Sequence, residues 1–175
     1  PPPHPPRPPP PPPPRLAPAP PPPHPHQHAL RDPHTHVVAE TRLQADARGV
    51  EIETGRPAGI AVMADPALLA SALENVLRNA VVYTAPQSRV EVGVTGNGTA
   101  EVEIADRGHG VPESELEQIF EPFHRVADAR ERHSGGEGVG LAIAARVARI
   151  HGGRIEATNR DNGGLRIRLI LPRKA

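Results

Sequence analysis

From Pro1 to Pro25 the chain is almost continuous proline. Each proline fixes φ and removes a backbone N–H, so such a run can join neither a helix interior nor a central strand. It also lacks the apolar mass from which a core is made. Residues 1–29 therefore read as a disordered Pro/His-rich segment, and the folded domain is expected over residues 30–175. The segment holds most of the proline: 19 of the 25 prolines and 6 of the 10 histidines fall within the first 36 residues, so chain-wide averages describe neither part. A linker is the simpler reading of the tract, with a ligand for proline-binding domains as the alternative. His24, His26, His28, His34 and His36 have no carboxylate partner and no regular spacing, and read as part of the same tract rather than as a metal site.

Composition excludes several classes of function. The 20 Lys and Arg balance 20 Asp and Glu, and aromatic residues make up only 2% of the chain. Without a basic field or stacking platforms, nucleic acid is not an expected partner. The absence of cysteine removes disulfides and thiolate chemistry and fits a reducing, cytoplasmic compartment. No stretch approaches the roughly 20 apolar residues that cross a bilayer. The opening on proline rather than methionine suits a fragment of a longer protein, whose membrane anchor would lie elsewhere.

Within the folded part, Val37, Val38, Thr41 and Leu43 mark a helix running to Arg48, stopped by Gly49. Val50 to Thr54 and Ile60 to Ala64 read as short strands. Asp65 is placed to cap a helix with Pro66 in its first turn, extending to about Tyr83, with Leu69, Leu73, Val76 and Ala80 as the core stripe. Arg89 to Thr95 and Ala100 to Ala105 form a hairpin around Gly96-Asn97-Gly98. A helix from Gly138 or Val139 to Ile150 ends at Gly152-Gly153. The strands Arg154 to Thr158 and Leu165 to Leu171 close the chain. This order predicts an α+β fold: a two-layer α/β sandwich with helices on one face of a mixed, mostly antiparallel sheet.

Three motifs carry chemistry. In Glu74-Asn75-Val76-Leu77-Arg78-Asn79, the two asparagines lie four apart on one helix face, where amide oxygens can ligate a hard cation such as Mg²⁺. A solvated polar face is the competing reading. In Asp106-Arg107-Gly108-His109-Gly110, a strand-end carboxylate can accept from an exocyclic amine while the glycines admit a flat ring. An ordinary Asp-Gly turn is the competitor. In Ser134-Gly135-Gly136-Glu137-Gly138-Val139-Gly140-Leu141, a glycine run opens a helix whose N-terminal amides suit phosphate oxygens.

Taken in this order with Ile119-Phe120-Glu121-Pro122-Phe123-His124-Arg125 between the last two, the set resembles the histidine-kinase branch of the ATPase superfamily that includes gyrase, the heat-shock chaperones and mismatch-repair ATPases. It looks most similar to sensor kinases of the Cpx envelope-stress type, over roughly Val37 to Pro172. The resemblance implies the Bergerat ATP-binding fold, with ATP and Mg²⁺ as ligands. It implies that Asn75 and Asn79 hold the metal and that Glu74, with Asn79, acts at the phosphates. Asp106 would read the adenine amine, with Gly108 and Gly110 beneath the ring and Tyr83 against it. Arg78, Phe120, Phe123, Arg125, Gly136, Gly138, Val139, Gly140 and Leu141 would complete the ATP site, with Arg125 to Ser134 as a lid.

The implied partners are a histidine-bearing dimerisation domain of a homodimeric parent and a response regulator. The parent is expected in the inner membrane, with this domain on the cytoplasmic side. Relatives commonly carry a basic residue at Val82 and a threonine or serine at Glu137. The family's His-Glu-x-x-(Thr/Ser)-Pro acceptor helix has no match here. Pro33 argues against a helix around His34, so phosphorylation in cis is not expected. A nucleotide-binding regulatory module that transfers no phosphate is the alternative reading.

Overall fold

A computed structural model describes residues 27–29, 31–55, 60–126 and 138–173. The elements run β1 (Gln27–Ala29), α1 (Arg31–Asp46), β2 (Glu51–Thr54), β3 (Ala61–Met63), α2 (Pro66–Tyr83), β4 (Arg89–Asn97), β5 (Thr99–Ala105), two short 3₁₀ turns, α3 (Gly140–Ile150), β6 (Arg154–Asn159) and β7 (Leu165–Pro172). Five strands form one sheet in the order β2-β4-β5-β7-β6. Only β2 and β4 are parallel; the other neighbours pair antiparallel.

Local sequence accounts for the two principal helices. The Asp65 carboxylate accepts from Ala67 N at 2.9 Å and Leu68 N at 3.0 Å, satisfying donors that the first turn of α2 leaves open, and Pro66 occupies a position where no amide is needed. Leu69, Leu73, Val76 and Ala80 are all buried, as the stripe predicts. α3 ends in His151 and then Gly152 at φ +69, a left-handed stop that glycine adopts without strain.

The layers follow from period-two patterning. Val90 and Val92, then Ala100, Val102 and Ile104, then Leu165, Ile167, Leu169 and Leu171 are buried with the apolar stripes of the helices. On the other face Arg168 meets Glu156 at 2.7 Å and Arg166 meets Glu103 at 3.0 Å. These are half-buried cross-strand pairs, each contributing about 0.2–1 kcal/mol, so they fix register more than stability. The apolar layer holds the fold.

Four expectations need correction. Described structure begins at β1, inside the segment read as disordered, because Gln27–Ala29 pairs antiparallel with β3. A helix does surround His34: α1 starts at Arg31, which puts Pro33 in the first turn, where the missing N–H forfeits no helical bond. Leu43 is 79% exposed, and Ala45 completes the buried stripe of Val37, Val38 and Thr41. Finally, β3 pairs with β1 outside the main sheet, and among the described residues its one backbone pairing with that side is the Val62–Arg173 bridge, beside Pro172, which has no N–H to extend a ladder. The β4–β5 ladder also closes more tightly than expected, pairing Asn97 with Thr99 about Gly98 at φ +81.

Candidate nucleotide site

The C-terminal half of α2, the loop after β5 and the N-terminus of α3 converge on a cavity of about 680 Å³, within the range that takes a nucleotide-sized ligand. Its lining includes Asn75, Arg78, Asn79 and Tyr83 from α2, and Asp106, Gly108 and Gly110 from the loop. Arg125, Gly138, Val139, Gly140 and Leu141 come from the glycine motif and its approach. Residues more than 60 positions apart thus share one wall.

Asp106 lines this cavity and is 4% exposed. Its Oδ1 accepts from Gly108 N at 2.8 Å and from Leu165 N at 3.1 Å. Both donors fall on one oxygen, which leaves Oδ2 for a ligand in the cavity. Burial pushes the carboxyl above its ordinary range, opposed by those two amides and by the charges of His109 and Arg160. A carboxylate kept in such a place at a cost to ionisation is a functional-site signal.

The surrounding loop is held from three directions. Thr84, just past the end of α2, accepts from Arg107 N through its hydroxyl at 3.0 Å. Arg160 donates to the Asp106 carbonyl at 3.0 Å and to Glu91 at 3.1 Å. Asn159, at the end of β6, accepts from Val111 N at 2.9 Å and donates to Val111 O at 2.6 Å, pairing its amide with the backbone as a strand would. Gly108 has no room for a Cβ, which would overlap the Tyr83 carbonyl.

Asn159 and Arg160 read in sequence only as turn residues. Their one signal was a polar pair at a strand end before Gly163-Gly164. Replacing Asn159 with Ala removes both Val111 bonds and is expected to lower stability by about 1–2 kcal/mol. Asn159→Asp, which keeps the acceptor alone, should fall between wild type and Ala in a chemical denaturation series.

The two asparagines of α2 differ in what they have free. Asn75 is buried, with Nδ2 donating to Ser71 O at 2.9 Å and Oδ1 accepting from Arg78 at 2.7 Å. Asn79 lines the cavity and, among the described residues, its amide has no hydrogen-bond partner. The pair therefore presents one free oxygen rather than two, that of Asn79. Glu74 does not line the cavity but pairs with Arg78 at 3.5 Å, one helical turn on. Spacing shows the face that the two asparagines share and not these internal bonds.

The phenylalanines of the aromatic motif lie beside the cavity lining rather than in it. Phe120 packs against the core, and Phe123 is 76% exposed at φ +66; neither lines the cavity. The connection to the glycine motif is through backbone instead, with Phe123 N donating to Gly138 O at 2.9 Å. Gly138, at φ +72, would place a Cβ 2.8 Å from the His124 carbonyl, so the close approach of the two segments needs glycine. His124 donates through Nε2 to Glu115 at 3.0 Å and lines the same cavity. Gly136, Glu137 and most of the expected lid lie outside the described residues.

Comparison with known proteins bears on the whole arrangement. The family described as "Histidine kinase-, DNA gyrase B-, and HSP90-like ATPase" matches residues 64–175. The sensor-like histidine kinase SenX3 of Mycobacterium tuberculosis is 34% identical over 139 residues, covering 79% of this chain and 34% of that protein. The sensor histidine kinase CpxA of Escherichia coli is 36% identical over 139 residues, covering 79% and 30%. The solved structure of the mycobacterial sensor histidine kinase MprB has a TM-score of 0.74 and 28% identity, covering 85% of this chain and 99% of that one. The chain spans about a third of the length of the curated relatives it matches.

Proposed function

Since the chain belongs to the histidine kinase-, DNA gyrase B- and HSP90-like ATPase family, we propose that it is the catalytic domain of a two-component sensor histidine kinase. In this reading it binds ATP with Mg²⁺ and donates the γ-phosphate to a histidine on a dimerisation domain of a homodimeric parent. An aspartate of a response regulator then receives it. The observation that carries the reading is the cavity itself, lined by a buried carboxylate, a free amide and the start of a helix. This reading takes the parent to be an inner-membrane protein with the domain on its cytoplasmic side; among the described residues no helix is long and apolar enough to cross a membrane.

Each role follows from what the side chains have available. Asp106 Oδ2 accepts the adenine amine, and Tyr83 and the Gly108 backbone bound the ring. The first amides of α3, with Gly138, Val139 and Gly140, face the phosphates, where the helix dipole favours negative charge. Asn79 offers one protein oxygen, which fits Mg²⁺, an ion that keeps several waters and shares phosphate oxygens. When bound, Mg²⁺ neutralises charge on the transferring phosphoryl group. Asn75 acts one step back: its oxygen holds the Arg78 guanidinium, while Glu74 holds the other side of the same group. Arg78 and Arg125 supply cations to the triphosphate from the cavity wall.

Transfer of label from radioactive ATP to a separately supplied dimerisation domain bearing the acceptor histidine is the test. Wild type is expected to transfer. Asn79→Ala should lose Mg²⁺-dependent transfer by about a hundredfold or more while keeping its circular dichroism spectrum, since its amide supports no fold contact. ATP binding without transfer by wild type would replace this reading with the regulatory module.

A further inference from the structure

Arg48 lies before residue 64, where the family match begins, yet it lines the nucleotide cavity. Its position is fixed by the exit from α1. Arg48 N donates to Ala45 O at 3.0 Å, Gly49 N to Asp46 O at 3.0 Å and Val50 N to Ala45 O at 2.9 Å, and Gly49 turns the chain at φ +65. Ala45 and Val50 on either side are buried, so the turn cannot swing. From it the Arg48 guanidinium reaches α2 and donates to the Val82 carbonyl at 3.0 Å.

That carbonyl belongs to the last turn of α2, where no residue of the helix itself is basic. One N–H of Arg48 thus caps a carbonyl that the helix end leaves open. The group has four further N–H donors, and among the described residues no carboxylate pairs with it. Arg78, by contrast, already shares its charge with Glu74. Val82 lies one turn beyond Asn79, so this uncompensated cation stands at the rim beside the free amide.

We propose that Arg48 is a phosphate-binding residue of the nucleotide site, held by the α2 terminus and acting on the anionic chain of ATP. The proposal rests on the nucleotide-binding reading given above. A cation at an open rim acts by charge, so its contribution should grow with ligand charge and shrink with salt. A residue that merely capped α2 would affect every ligand alike.

Calorimetric titration of the full chain with adenosine, ADP and Mg·ATP separates these cases. Arg48→Ala is expected to weaken ATP about fivefold and ADP about threefold at low salt, with adenosine unchanged, as for a single exposed charge contact. Arg48→Lys should restore part of the ATP loss. Raising the salt should narrow the gap between wild type and Arg48→Ala. Unchanged ATP affinity in Arg48→Ala, or an equal loss for ATP and adenosine, overturns the phosphate role while leaving the nucleotide site standing. Wild type that binds none of the three ligands overturns both.

Discussion

Asp106→Asn should cost adenine nucleotides about ten- to a hundredfold in affinity while leaving the fold at least as stable at neutral pH. Asparagine keeps an oxygen for Gly108 N and Leu165 N but puts an NH₂ where Oδ2 faces the cavity, so a donor meets the donor of the adenine amine. Loss of a charge-assisted bond with a donor left unmatched is worth about 1.5–3 kcal/mol.

The stability side has the opposite sign. Burial holds the carboxyl above its ordinary range, so the folded state binds its proton more tightly than the unfolded chain does. Stability tied to this group is full below the ordinary Asp range and falls as pH rises through the raised value. The variant lacks that decline. Titration with ATP at pH 7, together with melting curves across pH, checks both halves. Wild-type affinity in the variant would remove Asp106 as the base reader, and a lower midpoint at pH 7 would make the carboxylate a structural group.

Gly164→Ala should be the most damaging single methyl in the domain. Gly164 sits at φ +104, and a Cβ there would overlap the Asp106 carbonyl oxygen and stand 2.8 Å from the Asp106 carbonyl carbon. Both obstacles are backbone, so nothing flexible can yield. Strained φ with a backbone clash is expected to cost on the order of 3–5 kcal/mol, or roughly 10–15 °C in the thermal midpoint for a domain of this size. The neighbouring residue is the control. Gly163 has φ +83, but its nearest contact is the Gly108 carbonyl at 3.4 Å, so Gly163→Asn, which tolerates left-handed backbone, should cost less than about 1 kcal/mol. Similar midpoints for the two variants would show that the close approach is not rigid.

How far the fold was legible depended on how local its causes are. α2 could be read because its cap, its first-turn proline and its stripe are all written within one segment, and the β4–β5 hairpin because alternating valines flank a glycine turn. The strand β1 carries no such signal: Gln27–Ala29 is polar and short, and becomes a strand only through Ala61–Met63. Pro33 misled because a helix-breaking residue is harmless in a first turn, although Asp32-Pro33 repeats the pair that opens α2 at Asp65-Pro66.

The site divides in the same way. The spacing of Asn75 and Asn79 placed both on one face, but only the structure shows that Arg78 occupies the first. Asp106 was visible at a strand end. Its supports were not, because Thr84, Asn159 and Arg160 reach it or its loop across 23 to 54 positions and in sequence look like solvated turn residues. Arg48 reaches the cavity across 34 positions, and nothing in its own neighbourhood announces it.

The three supports of the Asp106 loop bear on when the site comes into being. They come from the end of α2, the end of β6 and the residue just after it, and Leu165 at the start of β7 adds its bond to the carboxylate, so the base end does not exist until the last two strands have docked. Contacts that close such long loops form late, because their entropy cost must be met before they return any gain. A chain that has assembled α1 to β5 has the aspartate but no fixed direction for it. Nucleotide should therefore recognise the finished fold alone and hold it by mass action, about 2.7 kcal/mol at a hundred times the dissociation constant. Saturating ATP would act on this domain as a selective chaperone, discriminating the completed molecule from one still missing its final hairpin.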